Sequence, residues 1–124
     1  MAEPRLSLKL IYRANIFVVD RAHPALQLGR DDSNGIVVAS LFASRVHARV
    51  EARDGQFVLV DLSSNGTFVL LDDPAGAESD AQSPELRLRQ EELVLSGRGW
   101  LGMGRSATKH GDHSVRFSVQ AESG

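Results

Sequence analysis

Three short polar clusters stand out for the chemistry their side chains can do together: Gly29-Arg30, Ser44-Arg45-Val46-His47 and Ser63-Ser64-Asn65-Gly66-Thr67. Arg30 and Arg45 offer planar guanidinium forks that match the oxygens of a phosphate or a carboxylate. Ser44 and Ser64 offer hydroxyl donors. Asn65 offers both a donor and an acceptor, so it can clamp a peptide backbone in both senses. Gly29 and Gly66 loosen the turns and let backbone N–H groups join the set. Together these groups make a receptor for an anion carried on a peptide backbone. No acid–base or nucleophile pair is evident. The nearest, Ser44 with His47, would be a small hydrolase, but it lacks a G-x-S-x-G elbow and a clear orienting carboxylate.

The elements that must position these clusters are strands. Leu6, Leu8, Leu10 and Tyr12 alternate with Ser7, Lys9 and Ile11, the period of a half-buried strand. Short apolar runs follow at 15–19, 26–29 and 36–39, the last two flanking an Asp-Asp-Ser-Asn-Gly turn. Val46, Ala48 and Val50 alternate with His47, Arg49 and Glu51, and Asp54-Gly55 separates this run from 56–62, a hairpin signal. Asn65-Gly66 is a second turn signal before 67–71, and runs at 86–89, 92–95, 100–103 and 114–119 complete the series. No window carries a capped helical period. The pattern predicts an all-β sandwich or barrel, and the uneven strand lengths and irregular turns favour the first: a two-sheet β-sandwich of about 11 short, mostly antiparallel strands, with the binding loops at one end. Residues 72–84 (DDPAGAESDAQSP) lack an aliphatic or aromatic anchor and read as an acidic, solvated loop inserted between two strands.

Taken in order and at this spacing, GR, SRxH and SSNGT resemble the forkhead-associated (FHA) domain, with the core of the match at 28–69 and the likeness spanning nearly all of residues 1–124 as one domain. The resemblance implies a non-catalytic module that binds phosphothreonine in extended peptides. It assigns phosphate contacts to Arg30, Ser44 and Ser64, places Arg45 near phosphate and peptide, and gives Asn65 the peptide backbone. It makes Gly29, His47, Gly66 and Thr67 the support of the site, with His47 tying neighbouring loops together. No cofactor is implied. Residues 91–105 resemble the tail of FHA domains fused to bacterial class III nucleotide cyclases, which implies bacterial-type Ser/Thr kinase or cyclase signalling and a fused or partner signalling enzyme. The alternative within the family is a degenerate module that binds partners, or regulates a fused catalytic domain, without phosphate.

Each feature also has a plainer reading. Asn65-Gly66 alone is a hairpin turn, Arg30 alone a solvated side chain, and His47 by alternation an outward polar residue or a satisfied structural histidine. Asn65-Gly66-Thr67 fits the N-glycosylation sequon, which has force only in a secreted chain. His110, Asp112 and His113 have metal-ligand chemistry but no fourth ligand nearby, so no metal site is expected, and their loop could instead border the peptide groove.

The 124 residues are 42% hydrophobic and 24% charged, a globular composition for one domain. With no cysteine, disulfides, thiolate metal sites and cysteine nucleophiles are excluded. The opening MAEPRLSLKLIY has no apolar run after a basic start, and no stretch is long enough to span a membrane. A cytoplasmic location without membrane contact is expected. The net charge of −2 argues against nucleic acid. It hides an asymmetry: residues 72–92 hold seven acidic and two basic residues, leaving 12 basic against 9 acidic elsewhere. A focused cluster can still hold one phosphate, and the acidic strip could disfavour acidic peptides or bind a basic partner.

Overall fold

The period-two pattern folds as expected in a computed structural model, which describes residues 5–72, 85–109 and 111–121. Eleven strands form among them: β1 (Leu6–Tyr12), β2 (Asn15–Val19), β3 (Ala25–Gly29), β4 (Ile36–Val37), β5 (Ala48–Arg53), β6 (Gln56–Asp61), β7 (Thr67–Leu71), β8 (Glu85–Leu88), β9 (Glu92–Leu95), β10 (Arg98–Met103) and β11 (Val115–Ala121). They make a six-stranded sheet in the order β2-β1-β11-β10-β7-β8 and a five-stranded sheet in the order β4-β3-β5-β6-β9. Every pairing is antiparallel except β3 with β4, which run parallel through Leu28–Ile36 and Gly29–Val37. Two three-residue 3-10 turns, Ala107–Lys109 and Gly111–His113, interrupt the β10–β11 connection.

Alternation puts Leu8, Leu10, Val69, Leu101, Val115 and Phe117 of one sheet against Leu28, Val50, Phe57, Leu59 and Leu95 of the other, forming one buried core. Two outward positions of β6, Val58 and Val60, are also buried. They lie opposite Glu51 and Arg49 of β5 and Val94 and Glu92 of β9. Here Glu51 is paired with Arg49 and Arg53, and Arg53 also pairs with Glu92 at 3.0 Å, so long polar side chains roof the valines. That roof lets β6 be apolar at every position from Phe57 to Val60.

The pairings send the turn after β1 and the connections β3–β4, β4–β5, β6–β7, β8–β9 and β10–β11 to one end of the sandwich. The β5–β6 hairpin lies at the opposite end, where Asp54 (φ 50°) and Gly55 (φ 80°) both take the left-handed conformation that a tight two-residue turn demands. Residues 73–84, most of the expected acidic insertion, lie outside the described residues. Their flanks, Leu71 and Glu85, sit at that opposite end.

Each described acid of the 72–92 strip is engaged within the fold. Asp72 takes both guanidinium N–H groups of Arg116 (3.0 and 2.6 Å), and Glu92 holds Arg53. Glu85 caps Ala107 N at 2.8 Å and Glu91 accepts from Arg89 N at 3.0 Å. Among the described residues no helix is long and apolar enough to cross a membrane.

Candidate functional site

The loop after β3 and the loop before β5 are zipped together by their backbones. Arg30 N donates to Ser44 O (2.9 Å), Asp31 N to Arg45 O (3.1 Å) and His47 N to Leu28 O (2.8 Å). Gly29 is required where the strands meet, since a Cβ there would lie 2.2 Å from the Arg45 carbonyl oxygen. Asn34 completes the zipper: its side-chain amide donates to Asp31 O and Arg45 O, both at 2.7 Å. The sequence shows Asn34 only as part of a turn signal, yet it is 6% exposed and braces the loop that bears Arg30.

His47 joins this pair of loops to the third. Its Nδ1 accepts from the Ser44 backbone N–H at 2.9 Å, so the ring proton sits on Nε2 and is donated to Gly66 O, also at 2.9 Å. The ring is fully buried, although simple alternation would have turned it outward. Strand β5 starts only at Ala48; Val46, expected inside, is 36% exposed. Gly66 takes φ 95°, and its carbonyl also receives Gly104 N at 2.9 Å. With both imidazole nitrogens held by backbone, His47 cannot take a proton from Ser44, so the geometry does not support the hydrolase alternative.

Beneath the third loop lies a carboxylate that the sequence hides at the end of an apolar run. Asp61 Oδ1 accepts from Ser63 Oγ (2.6 Å), Ser63 N (3.2 Å) and Thr67 Oγ1 (2.7 Å). Its Oδ2 accepts from Gln90 N at 2.7 Å, and Ser63 Oγ in turn receives Gly66 N at 2.8 Å. Burial pushes the Asp61 carboxyl up, but the donors from Gln90, Ser63 and Thr67 together hold it below the ordinary carboxylate range.

On this base Arg30, Arg45, Ser64 and Asn65 are exposed and Ser44 half-buried, all on the same end of the sandwich. Ser64 N reaches Ser44 Oγ at 3.3 Å, so the three clusters are contiguous. Among the described residues the Asn65 side-chain amide has only a long contact, 3.5 Å, to Phe42 O. Beside them rises an apolar rim: Leu41 is 89% exposed, and Phe42 lies under the Arg105 guanidinium, 4.9 Å from its ring centre. From the β10–β11 connection, His113 Nδ1 meets Tyr12 OH at 2.9 Å, and the same hydroxyl receives Ala39 N at 3.0 Å. Among the described residues no group of acidic or imidazole side chains could hold a metal ion, and His110 lies outside them. A cavity of about 860 Å³ opens at the opposite end, between Arg5, Arg21 and Phe57, and contains none of the candidate residues.

The imidazole gives a pH signature. Burial pushes His47 down from 6.5, against the raising effects of the Gly66 carbonyl and of Asp61. The unfolded chain therefore binds a proton at His47 where the folded chain does not, and stability falls as pH drops below about 6.5. The slope from one such group is at most about 1.4 kcal/mol per pH unit. Denaturant unfolding at pH 7.5, 6.5 and 5.5 should show a shallower loss in His47→Gln than in the wild type; equal slopes would refute this origin.

The family model for the FHA domain matches residues 26–90. Among solved structures, the FHA-1 domain of Mycobacterium tuberculosis Rv1747 superposes with a TM-score of 0.63 at 18% identity, covering 93% of this chain and 97% of that one. Mycobacterium tuberculosis EmbR, solved with a low-affinity phosphopeptide, gives 0.64 at 23% identity over 98% of this chain, which spans only 26% of EmbR. The MEK1 FHA domain, in complex with a HOP1 phosphothreonine peptide, gives 0.61 at 16% identity, covering 94% and 97%. At these identities the likenesses establish the fold alone. Comparison with curated proteins found no sequence match. With the family model spanning half of its length and two sheets stacked as in these neighbours, the chain belongs to the FHA domain family, whose members are recognition modules rather than enzymes.

Proposed function

We propose that residues 1–124 act as one phosphothreonine-peptide recognition module. The observation that carries this reading is the contiguity of Arg30, Ser44, Ser64 and Asn65 on loops locked by His47 and Asp61. A phosphate with about −1.5 to −2 charge suits one guanidinium fork and several neutral donors. The exposed Asn65 amide is suited to the peptide backbone beside it, and Arg45 to the flank of phosphate and peptide. The phosphopeptide complexes of EmbR and the MEK1 FHA domain support the same ligand class. The likeness of 91–105 to cyclase-linked FHA domains supports a setting in cytoplasmic bacterial-type Ser/Thr kinase or cyclase signalling.

The test is a titration with peptides of mixed flanking sequence carrying phosphothreonine, phosphoserine or unmodified threonine. The phosphothreonine peptides should bind best. Phosphoserine should bind roughly ten- to two-hundredfold more weakly, the discrimination available from one apolar contact to the γ-methyl. Equal weak binding to all three would overturn the reading and favour a module that binds without phosphate.

A further inference from the structure

Asn65 and Gly66 present two consecutive carbonyls, and different parts of the fold hold them. The Gly66 carbonyl is taken by His47 and Gly104, within the loops already described. The Asn65 carbonyl is taken from outside those loops, by Arg87 of β8. Arg87 Nη2 donates to Asn65 O at 2.7 Å and Nε donates to it at 3.2 Å. The guanidinium is fixed from a second side, lying 5.2 Å from the ring centre of Phe68, its register partner on β7. A side chain at Gly66 would be strained by its φ of 95° and would bring a Cβ to 2.9 Å from Arg87 Nε and 3.0 Å from Leu88 O.

Resting on the phosphopeptide reading above, we propose that Arg87 is a positioning residue that sets the Asn65–Gly66 peptide plane. It thereby governs the grip on the ligand's backbone while leaving the phosphate contacts alone. Two charge-assisted bonds hold the Asn65 carbonyl in one direction. The other edge of this peptide, the Gly66 N–H, is held by Ser63 Oγ at 2.8 Å, so the Arg87 fork completes the restraint on its carbonyl edge beside a left-handed glycine, where the backbone is otherwise permissive. The Asn65 side chain, whose one contact among the described residues is long, has no comparable anchor there. Arg30 and Ser44 belong to the β3–β4 and β4–β5 loops, zipped to each other without β8. Loss of the Arg87 fork therefore separates two parts of recognition that the wild type combines.

The experiment compares wild type, Arg87→Ala, Arg87→Lys and Arg89→Ala as full chains against a phosphothreonine peptide and against inorganic phosphate. NMR of the free proteins follows the Asn65 and Gly66 signals. Arg87→Ala is expected to bind the peptide about tenfold more weakly and inorganic phosphate within twofold of wild type. In the free protein its Asn65 and Gly66 signals should broaden while those of Arg30 and Ser44 stay in place. Arg87→Lys, which keeps the charge without the fork, should fall with Ala in peptide binding, and Arg89→Ala should match the wild type. Peptide and phosphate affinities falling together, rescue by Lys, or unchanged Asn65 and Gly66 signals would each overturn the proposal. If the wild type itself ignores the peptide, the functional reading fails; the free-protein signals still decide whether Arg87 orders the turn.

Discussion

Replacing Arg30 by alanine is expected to weaken phosphothreonine-peptide binding by at least about a hundredfold while leaving the fold intact. Arg30 follows the last residue of β3, and its structural work is done by its backbone, whose N–H bonds Ser44 O at 2.9 Å. Alanine keeps that bond. The side chain is exposed and makes no ion pair among the described residues, so its removal orphans nothing in the free protein. In the complex the loss is different in kind. A dianionic phosphate would be left on Ser44 and Ser64 hydroxyls without its cation, and removing one partner of a hydrogen-bonded charge pair costs about 2–5 kcal/mol. About 3 kcal/mol is already more than a hundredfold in affinity. Arg30→Lys keeps a point charge but not the fork, and should fall between. Arg45→Ala should lose less, because Arg45 holds its neighbours through its carbonyl and its side chain serves the flank of the site. Calorimetric titration with melting curves decides the matter. An Arg30→Ala protein that binds as the wild type does would remove Arg30 from the phosphate, and one that fails to fold would contradict the backbone argument.

What could be read from the sequence, and what could not, follows from where each residue finds its partners. Strand β2 coincides with the apolar run at 15–19, and β1 with its alternation, because both signals are local. The Asp54-Gly55 hairpin is equally local. The three polar clusters were legible as motif residues, and their loops meet as the spacing suggested. Alternation failed at His47 because the residue stands one step before the strand begins, where burial is decided by Leu28 and Gly66 rather than by pleat. Asn34, Asp61 and Arg87 carried no sign of a role in the site. Their partners Arg45, Gln90 and Asn65 lie 11, 29 and 22 residues away, and each looks alone like a turn or surface residue. The partners of the acidic strip were hidden for the same reason. Its charge suggested an outward-facing surface, and Glu91 and Glu92 are exposed, but Asp72, Glu85, Glu91 and Glu92 also accept hydrogen bonds from the fold itself.

The largest loss of stability should come from Asp61, a residue with no proposed contact to ligand. At 2% exposure its carboxylate receives two hydroxyls and two backbone N–H groups. Asp61→Ala leaves all four donors without their acceptor, and each buried donor left unmade costs about 1–3 kcal/mol before relaxation. Water entering at the exposed Ser64–Asn65 side will recover part of this, so about 3–5 kcal/mol is expected in total. That is a large share of the roughly 5–15 kcal/mol that holds a domain together. It corresponds to a fall in melting midpoint of about 10–20 °C. Asp61→Asn keeps an acceptor for Ser63 and Thr67 but cannot accept from Gln90 N–H through the same edge, so it should lose less than half as much. The pH dependence separates this from a generic core defect. Because the folded carboxyl is held low, its contribution is present above the ordinary carboxylate pKa of about 4 and is lost as pH falls through the folded value. The gap between wild type and Asp61→Asn should therefore be constant from pH 7 to 5 and narrow progressively as pH falls below about 4. Since Ser63 passes the same network on to Gly66 N, peptide affinity should drop together with stability in Asp61→Ala. A variant that melts within 3 °C of the wild type, or a gap that does not narrow at all between pH 5 and pH 3, would show that the loop is held by something other than this carboxylate.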